Sequence, residues 1–134
     1  MSTELNKALA RKYFEAYSTG DVDAVMKFVG SKYVLHPGGN GEPMNPVERR
    51  ADEIVFFRAF SHILAVVEDQ IAENDKIANR IKMICTHTGE YHGIPATGKQ
   101  IVIPYIDITQ FNAGKIVEEW VEYDTANILK QIQS

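Results

Sequence analysis

The chain has 134 residues, 45% of them hydrophobic and 24% charged, with a formal net charge of −4. That length fits one domain spanning 1–134, which buries roughly two-thirds of its unfolded surface and needs no disulfide or metal staple. The acidic balance argues against a nucleic-acid partner, and no apolar run approaches the ~20 residues that a membrane span requires.

The first residues lack a signal-peptide core, and the single Cys85 cannot make an internal disulfide. A reducing cytoplasm is therefore the expected location. Residues 3–18 read as a helix. Leu5, Leu9, Ala10, Tyr13, Phe14, Ala16 and Tyr17 fall on one arc of the wheel, and Glu4, Arg11, Lys12 and Glu15 fill most of the other. Tyr13 lies near the middle of the apolar arc, so its hydroxyl is expected to point inward. Gly20 stops this helix, and Asp21 caps a second short one over 22–29. Residues 33–36 form a short strand ended by Pro37-Gly38-Gly39, and 38–44 is a Gly/Pro loop. Asn45-Pro46-Val47-Glu48 is a capping box with proline at the first helical position. It opens a third helix to about 61, with Val47, Ala51, Ile54, Phe57 and Phe60 inward. The mixed-sign run Glu48-Arg49-Arg50-Ala51-Asp52-Glu53 reads as a solvated helix face.

The pattern then changes to strands. Residues 64–73 pair with 76–88 across the Asn74-Asp75 turn. A loop rich in Gly and Pro covers 90–99. Strands 100–111 and 115–124 are joined by Asn112-Ala113-Gly114, and a last short helix runs over 125–132. Helices grouped ahead of an antiparallel meander predict an α+β architecture. In such a fold a curved sheet carries its helices across the concave side and leaves a pocket between them.

Asp107 sits inside a strand that otherwise reads as largely buried, where an unpaired charge is very costly. If Phe111 faces Lys115 across the tight turn, Asp107 faces Glu119 and Tyr105 faces Val121. Two carboxylates so close in an apolar site cannot both ionise easily, so one is expected to hold a proton near neutral pH. A bulge would alter this register. In the alternative, Glu119 points to solvent and Asp107 accepts bonds from a tyrosine or a backbone N–H. His36, before the Gly-rich loop, is a candidate general base or else an idle rim residue. His87 shares an apolar face with Ile77, Ile81, Met83 and Cys85, as a core or pocket-wall histidine. His92, beside Tyr91, is a candidate lid residue or plain surface. His87 and His92 lack the His-x-x-x-His helical spacing of zinc sites, and with one cysteine no metal is expected. Cys85 reads as a buried inert thiol. No phosphate-binding glycine motif occurs, so no nucleotide cofactor is expected.

The other face of the last hairpin is also apolar: Val102, Pro104, Ile106 and Ile108, with Ile116 and Trp120. The helices cover one side of the sheet only, so this face is expected to form a homodimer through Val102, Ile106, Ile108 and Trp120. The alternative is a monomer whose last helix folds over it.

Four segments carry a family resemblance: Thr86-His87-Thr88-Gly89-Glu90-Tyr91, Gly93-Ile94-Pro95-Ala96-Thr97-Gly98-Lys99, Ile106-Asp107-Ile108 and Gly114-Lys115-Ile116-Val117-Glu118-Glu119-Trp120. In combination they resemble the SnoaL-like polyketide cyclase family of the nuclear transport factor 2-like superfamily, from about Asn6 to Ile132. The resemblance implies a cone-shaped, strongly bent sheet with helices closing a deep pocket. It also implies an aspartate, here Asp107, acting as acid/base in an intramolecular aldol closure without metal or nucleotide. More distantly, ketosteroid isomerases of the superfamily use a tyrosine on the first helix, a base before a proline and an aspartic acid on the late strand. Tyr13, His36 and Asp107 fall at similar positions. The isomerase base is an aspartate, however, and histidine after a one-residue shift stands here.

The catalytic candidates are therefore Asp107, Tyr13, His36 and Glu119. Tyr17, Phe57, His87, His92 and Tyr105 are candidate contacts for a small apolar ligand, with no cofactor. Three roles fit the fold: a cyclase or isomerase of a small ketone or ester, a non-catalytic binding module, or a dimeric scaffold.

Overall fold

The computed structural model describes residues 2–134. Helix α1 (Thr3–Glu15) starts where the Ser2 hydroxyl accepts the Leu5 N–H at 3.1 Å, which satisfies one of the four unpaired amides of a helix start. One 3₁₀ turn, Ala16–Thr19, continues it, and Gly20 at φ 66° ends it. Asp21 caps the short α2 (Val22–Met26). Strand β1 runs Val29–His36, longer than expected from the sequence. The Asn45/Glu48 capping box is fully formed and opens α3 (Pro46–Ala59).

Helix α3 is rotated from its expected orientation. Val47 is 76% exposed and Ala51 is also exposed, whereas Glu53 is buried to 2% and Arg49 is half-buried. Of the run that reads as a solvated face, Arg49 and Glu53 therefore point inward, while Glu48, Arg50, Ala51 and Asp52 stay exposed. The pairing of Arg49 with Glu53 one turn apart makes this possible, because a buried charge with a partner is tolerated.

Besides β1, the sheet contains β2 (Phe60–Glu73), β3 (Lys76–His87), β4 (Gln100–Asn112) and β5 (Lys115–Tyr123), with α4 (Thr125–Gln133) after it. Strand order is β1-β5-β4-β3-β2. Neighbours from β2 to β5 are antiparallel, and β1 adds to β5 in parallel. Ala113 and Gly114 both have positive φ, so the last hairpin turns on two residues in the primed geometry that suits strand twist. Strand β2 carries two register breaks, between Ser61 and Leu64 and between Val67 and Asp69, and such bulges bend a strand. Side chains alternate along β4. Ile101, Ile103, Asp107, Thr109 and Phe111 are buried on the concave side, and Val102, Pro104 and Ile106 are exposed on the other. Helix α1 packs over β2 and β3. Helix α4 is tied to β4 by Gln131, whose amide accepts the Val102 N–H at 2.9 Å and donates to its carbonyl at 2.7 Å. Ile128 and Ile132 of α4 are buried, and Ile128 joins Ile103 at the cavity, so the last helix lies on the concave side. The result is the expected α+β fold with a bent sheet. Among the described residues, no helix is long and apolar enough to cross a membrane.

Candidate active site

A cavity of about 180 Å³ opens to solvent between α3, the loop after β3, the concave face of β4 and β5, and α4. Of the residues expected there, it is lined by Asp107, Tyr17, Tyr105 and His92. It is also lined by Arg49, Glu53, Phe56, Tyr91 and Tyr123, which sequence reasoning did not single out. The inward signal for Arg49 and Glu53 was their four-residue spacing, one turn from Phe56 on the same side.

Asp107 and Glu119 meet by a different route from the expected one. The turn holds two residues rather than three, so Asn112 pairs with Lys115 and Phe111 with Ile116. A bulge then follows, and Gln110 pairs with Glu118. Thr109 consequently faces Glu119, and Asp107 faces Val121. Each change shifts the register by one residue. A single slip would have sent Glu119 to the outer face, but two slips restore it to the concave side, diagonal to Asp107. Diagonal neighbours lie within reach of long side chains.

Both carboxyls are buried, Asp107 to 2% and Glu119 to 0%. Glu119 Oε1 accepts hydrogen bonds from the Tyr13 hydroxyl at 3.0 Å and the Tyr33 hydroxyl at 2.5 Å. Asp107 Oδ1 and Glu119 Oε2 are buried with no donor of their own. Burial, then the Glu119 charge and a hydrogen bond with Glu119, push the Asp107 carboxyl well above its ordinary range. Two buried acceptors side by side are satisfied by one proton between them. Asp107 Oδ1 is enclosed, so the oxygen that Asp107 presents to the cavity is Oδ2.

On the opposite wall the buried charges are paired, although Arg49 Nε has no acceptor. Tyr17 donates to Glu53 Oε1 at 2.6 Å and accepts from Arg49 Nη2 at 3.0 Å. Arg49 Nη2 also pairs directly with Glu53, and Nη1 reaches Asp52 at 3.1 Å. Burial raises the Glu53 carboxyl, and the Arg49 charge and Tyr17 hydroxyl pull it back. Burial also holds the Tyr91 phenol up at about 12, so it is a neutral donor at the cavity.

The remaining expected residues lie elsewhere. His36 pairs with Trp120 on the outer side of the sheet, stacks on its indole at 5.4 Å, and bonds Glu118 Oε2 through Nε2 at 2.6 Å. It does not reach the cavity, because the parallel pairing of β1 turns it the other way. Tyr13 bonds Glu119, and neither of them lines the cavity, which Asp107 alone of this group meets. Phe57 packs on Tyr17 at 5.8 Å behind the wall. His87 is fully buried; its Nδ1 accepts the Thr97 N–H at 3.2 Å and lies 2.9 Å from the Thr97 hydroxyl. It therefore anchors the loop that carries Tyr91 and His92 to the cavity mouth. Tyr33 went unnoticed although it alternates with buried Leu35 on β1. Among the described residues, no three His, Cys, Asp or Glu side chains converge as a metal-binding group.

Known proteins resemble this chain along nearly its whole length. The cyclase DnrD of Streptomyces peucetius, which acts on aklanonic acid methyl ester, is 32% identical over 130 residues, covering 92% of this chain and 87% of the relative. The DauD cyclase of Streptomyces sp. (strain C5), named for the same compound, is 31% identical over 122 residues, covering 86% and 74%. AclR of Streptomyces galilaeus superposes with a TM-score of 0.90 at 23% identity, over 98% of this chain and 83% of that one. A protein of ketosteroid isomerase-like fold from Catenulispora acidiphila superposes with a TM-score of 0.78 at 9% identity, covering 93% and 92%. The pattern of the SnoaL-like polyketide cyclases matches residues 7–132, and the chain belongs to the SnoaL-like polyketide cyclase family.

Proposed function

We propose that this protein closes a ring in a small ketone or ester by acid–base chemistry centred on Asp107, with no cofactor taking part. The observation that carries the reading is the buried carboxyl pair, with which no cation forms an ion pair among the described residues and of which only Asp107 meets the cavity. Such a pair holding one proton is both an acid and a base. Asp107 Oδ2 takes a proton from an activated carbon as the Oδ1 proton moves to Glu119 Oε2. The electrons of the broken C–H bond form a new C–C bond to a second carbonyl of the same substrate, whose π electrons move onto its oxygen. Asp107 Oδ2 gives the abstracted proton to that oxygen as the Glu119 proton returns to Asp107 Oδ1, which restores the pair. One C–H and one C=O π bond are exchanged for one C–C and one O–H bond, so the closure is redox-neutral. Tyr105, Tyr91 and Tyr123 at the cavity are suited to hold carbonyl oxygens as phenol donors. Aklanonic acid methyl ester, on which the relatives act, is the natural first probe. Its conversion by the wild-type protein and loss of that conversion in Asp107→Asn is the expected result. Undiminished conversion by the variant would remove Asp107 from the chemistry.

The cavity size favours a second reading. About 180 Å³ lies below the ~300 Å³ at which ligand pockets usually begin. A polycyclic ligand would place only its reacting part inside and leave the rest in the open mouth. A binding module for a smaller apolar molecule would need no more room. Saturable binding of the ester without product would favour that role. In either case we propose a homodimer through the outer face, where Val102 and Ile106 are 37% and 45% exposed beside Ile108 and Trp120. Sedimentation at twice the monomer mass, reverting to monomer in Ile106→Lys, is the expected outcome, and a wild-type monomer at high concentration would exclude it.

A further inference from the structure

The geometry points to Tyr33, with Tyr13, as the positioning residues that keep the negative charge of the carboxyl pair on Glu119 and the proton on Asp107. The inference rests on the pair being the acid–base centre, but it concerns where the pair's proton lies before any substrate arrives.

The two phenols come from different elements, Tyr13 from α1 and Tyr33 from β1, and converge on one oxygen, Glu119 Oε1. Both rings are almost fully buried. Burial and the Glu119 charge push both phenols far up, so each stays a donor at any working pH. Two hydrogen bonds to one carboxylate oxygen are charge-assisted and stronger than the same bonds to a neutral acid. Asp107 receives no such donors: its Oδ1 has none except the shared proton. The other groups acting on Asp107 are Arg49 and Glu53 of α3, which oppose each other, and the neutral phenol of Tyr105. Arg49 is committed to Glu53, Asp52 and Tyr17. The phenols therefore break the symmetry between two otherwise similar acids.

The asymmetry has a chemical consequence. With the charge on Glu119, the oxygen facing the cavity belongs to a carboxylic acid that can donate to a carbonyl oxygen. It becomes a base only as its other oxygen hands a proton back to Glu119. Losing the Tyr33 hydroxyl weakens the hold on the Glu119 charge. The proton then moves toward Glu119, and Asp107 gains carboxylate character.

Carbon-13 NMR of the side-chain carboxyls in the ligand-free protein reads this directly. In the wild type, between about pH 5 and pH 8, where ordinary carboxyls are ionised, the Asp107 carboxyl carbon is expected at the protonated position and that of Glu119 at the carboxylate position. Tyr33→Phe keeps the ring and is expected to move the two signals toward each other. Tyr13→Phe, which removes the longer bond, should move them less and supplies the same comparison if the first variant fails to fold. Tyr17→Phe, whose hydroxyl serves Glu53, should leave both in place. Unmoved signals in a folded Tyr33→Phe protein, or a wild type with Asp107 ionised and Glu119 protonated, would overturn the assignment. Neither result depends on turnover, so a failure here is distinct from a failure of the cyclase reading.

Discussion

The cavity has two buried acidic walls, and they are built on opposite principles. On the α3 side, Glu53 has a guanidinium and a phenol on its carboxylate, and every major charge is answered. On the β4–β5 side, Asp107 and Glu119 have each other and two tyrosines as partners, and among the described residues no cation pairs with either. A structural site is expected to neutralise what it buries. The uncompensated wall keeps a proton that it can exchange, which is how acid–base sites set carboxyls apart. The contrast separates a support from a reactive centre within one pocket.

The sharpest way to break this comparison is to remove each wall in turn. Asp107→Asn should lower kcat/KM for the ring closure by roughly 10²–10⁴-fold, the usual worth of a positioned acid–base group. Arg49→Met should act on the fold instead. It strands Glu53 as a lone buried charge and should cost about 3–5 kcal/mol in urea unfolding. If Arg49→Met were harmless to stability, the supporting role of that wall would be wrong.

The reactive wall should respond in the opposite direction. Because the folded protein holds the Asp107 carboxyl well above 3.8, the native state binds more protons than the unfolded chain. Its contribution to stability is thus greatest below that ordinary value and falls as pH rises through the folded-state pKa. Asp107→Asn removes the penalty and should stabilise the protein by about 0.5–2 kcal/mol at neutral pH, as substitutions at strained functional sites do. Thermal unfolding followed against pH should show that advantage shrinking on acidification. A constant or growing advantage toward low pH would contradict the raised carboxyl. The smallest effect belongs outside both walls. His36→Ala breaks a partly exposed pair with Glu118 and should cost under about 1 kcal/mol. It should leave ester conversion unchanged, since His36 stands on the outer face.

Local signals in the chain determined much of this protein. The capping box at Asn45, the stop at Gly20, the strand periodicity of 100–111 and the inward side of Asp107 all depend on neighbours a few residues away. The four segments that resemble SnoaL-like cyclases likewise announced the fold. Tertiary structure alone decided three matters. Parallel pairing of β1 with β5 turned His36 outward, because a strand's facing depends on its partner's register. Two compensating register shifts in the last hairpin brought Glu119 back beside Asp107, where one shift would have removed it. Helix α3 buried Arg49 and Glu53 because Tyr17, more than thirty positions earlier, supplies the hydrogen bonds that make it tolerable. Hydrophobic pattern ranks charged residues as exposed, and only contacts between distant segments reveal which charges have partners and which are left to do chemistry.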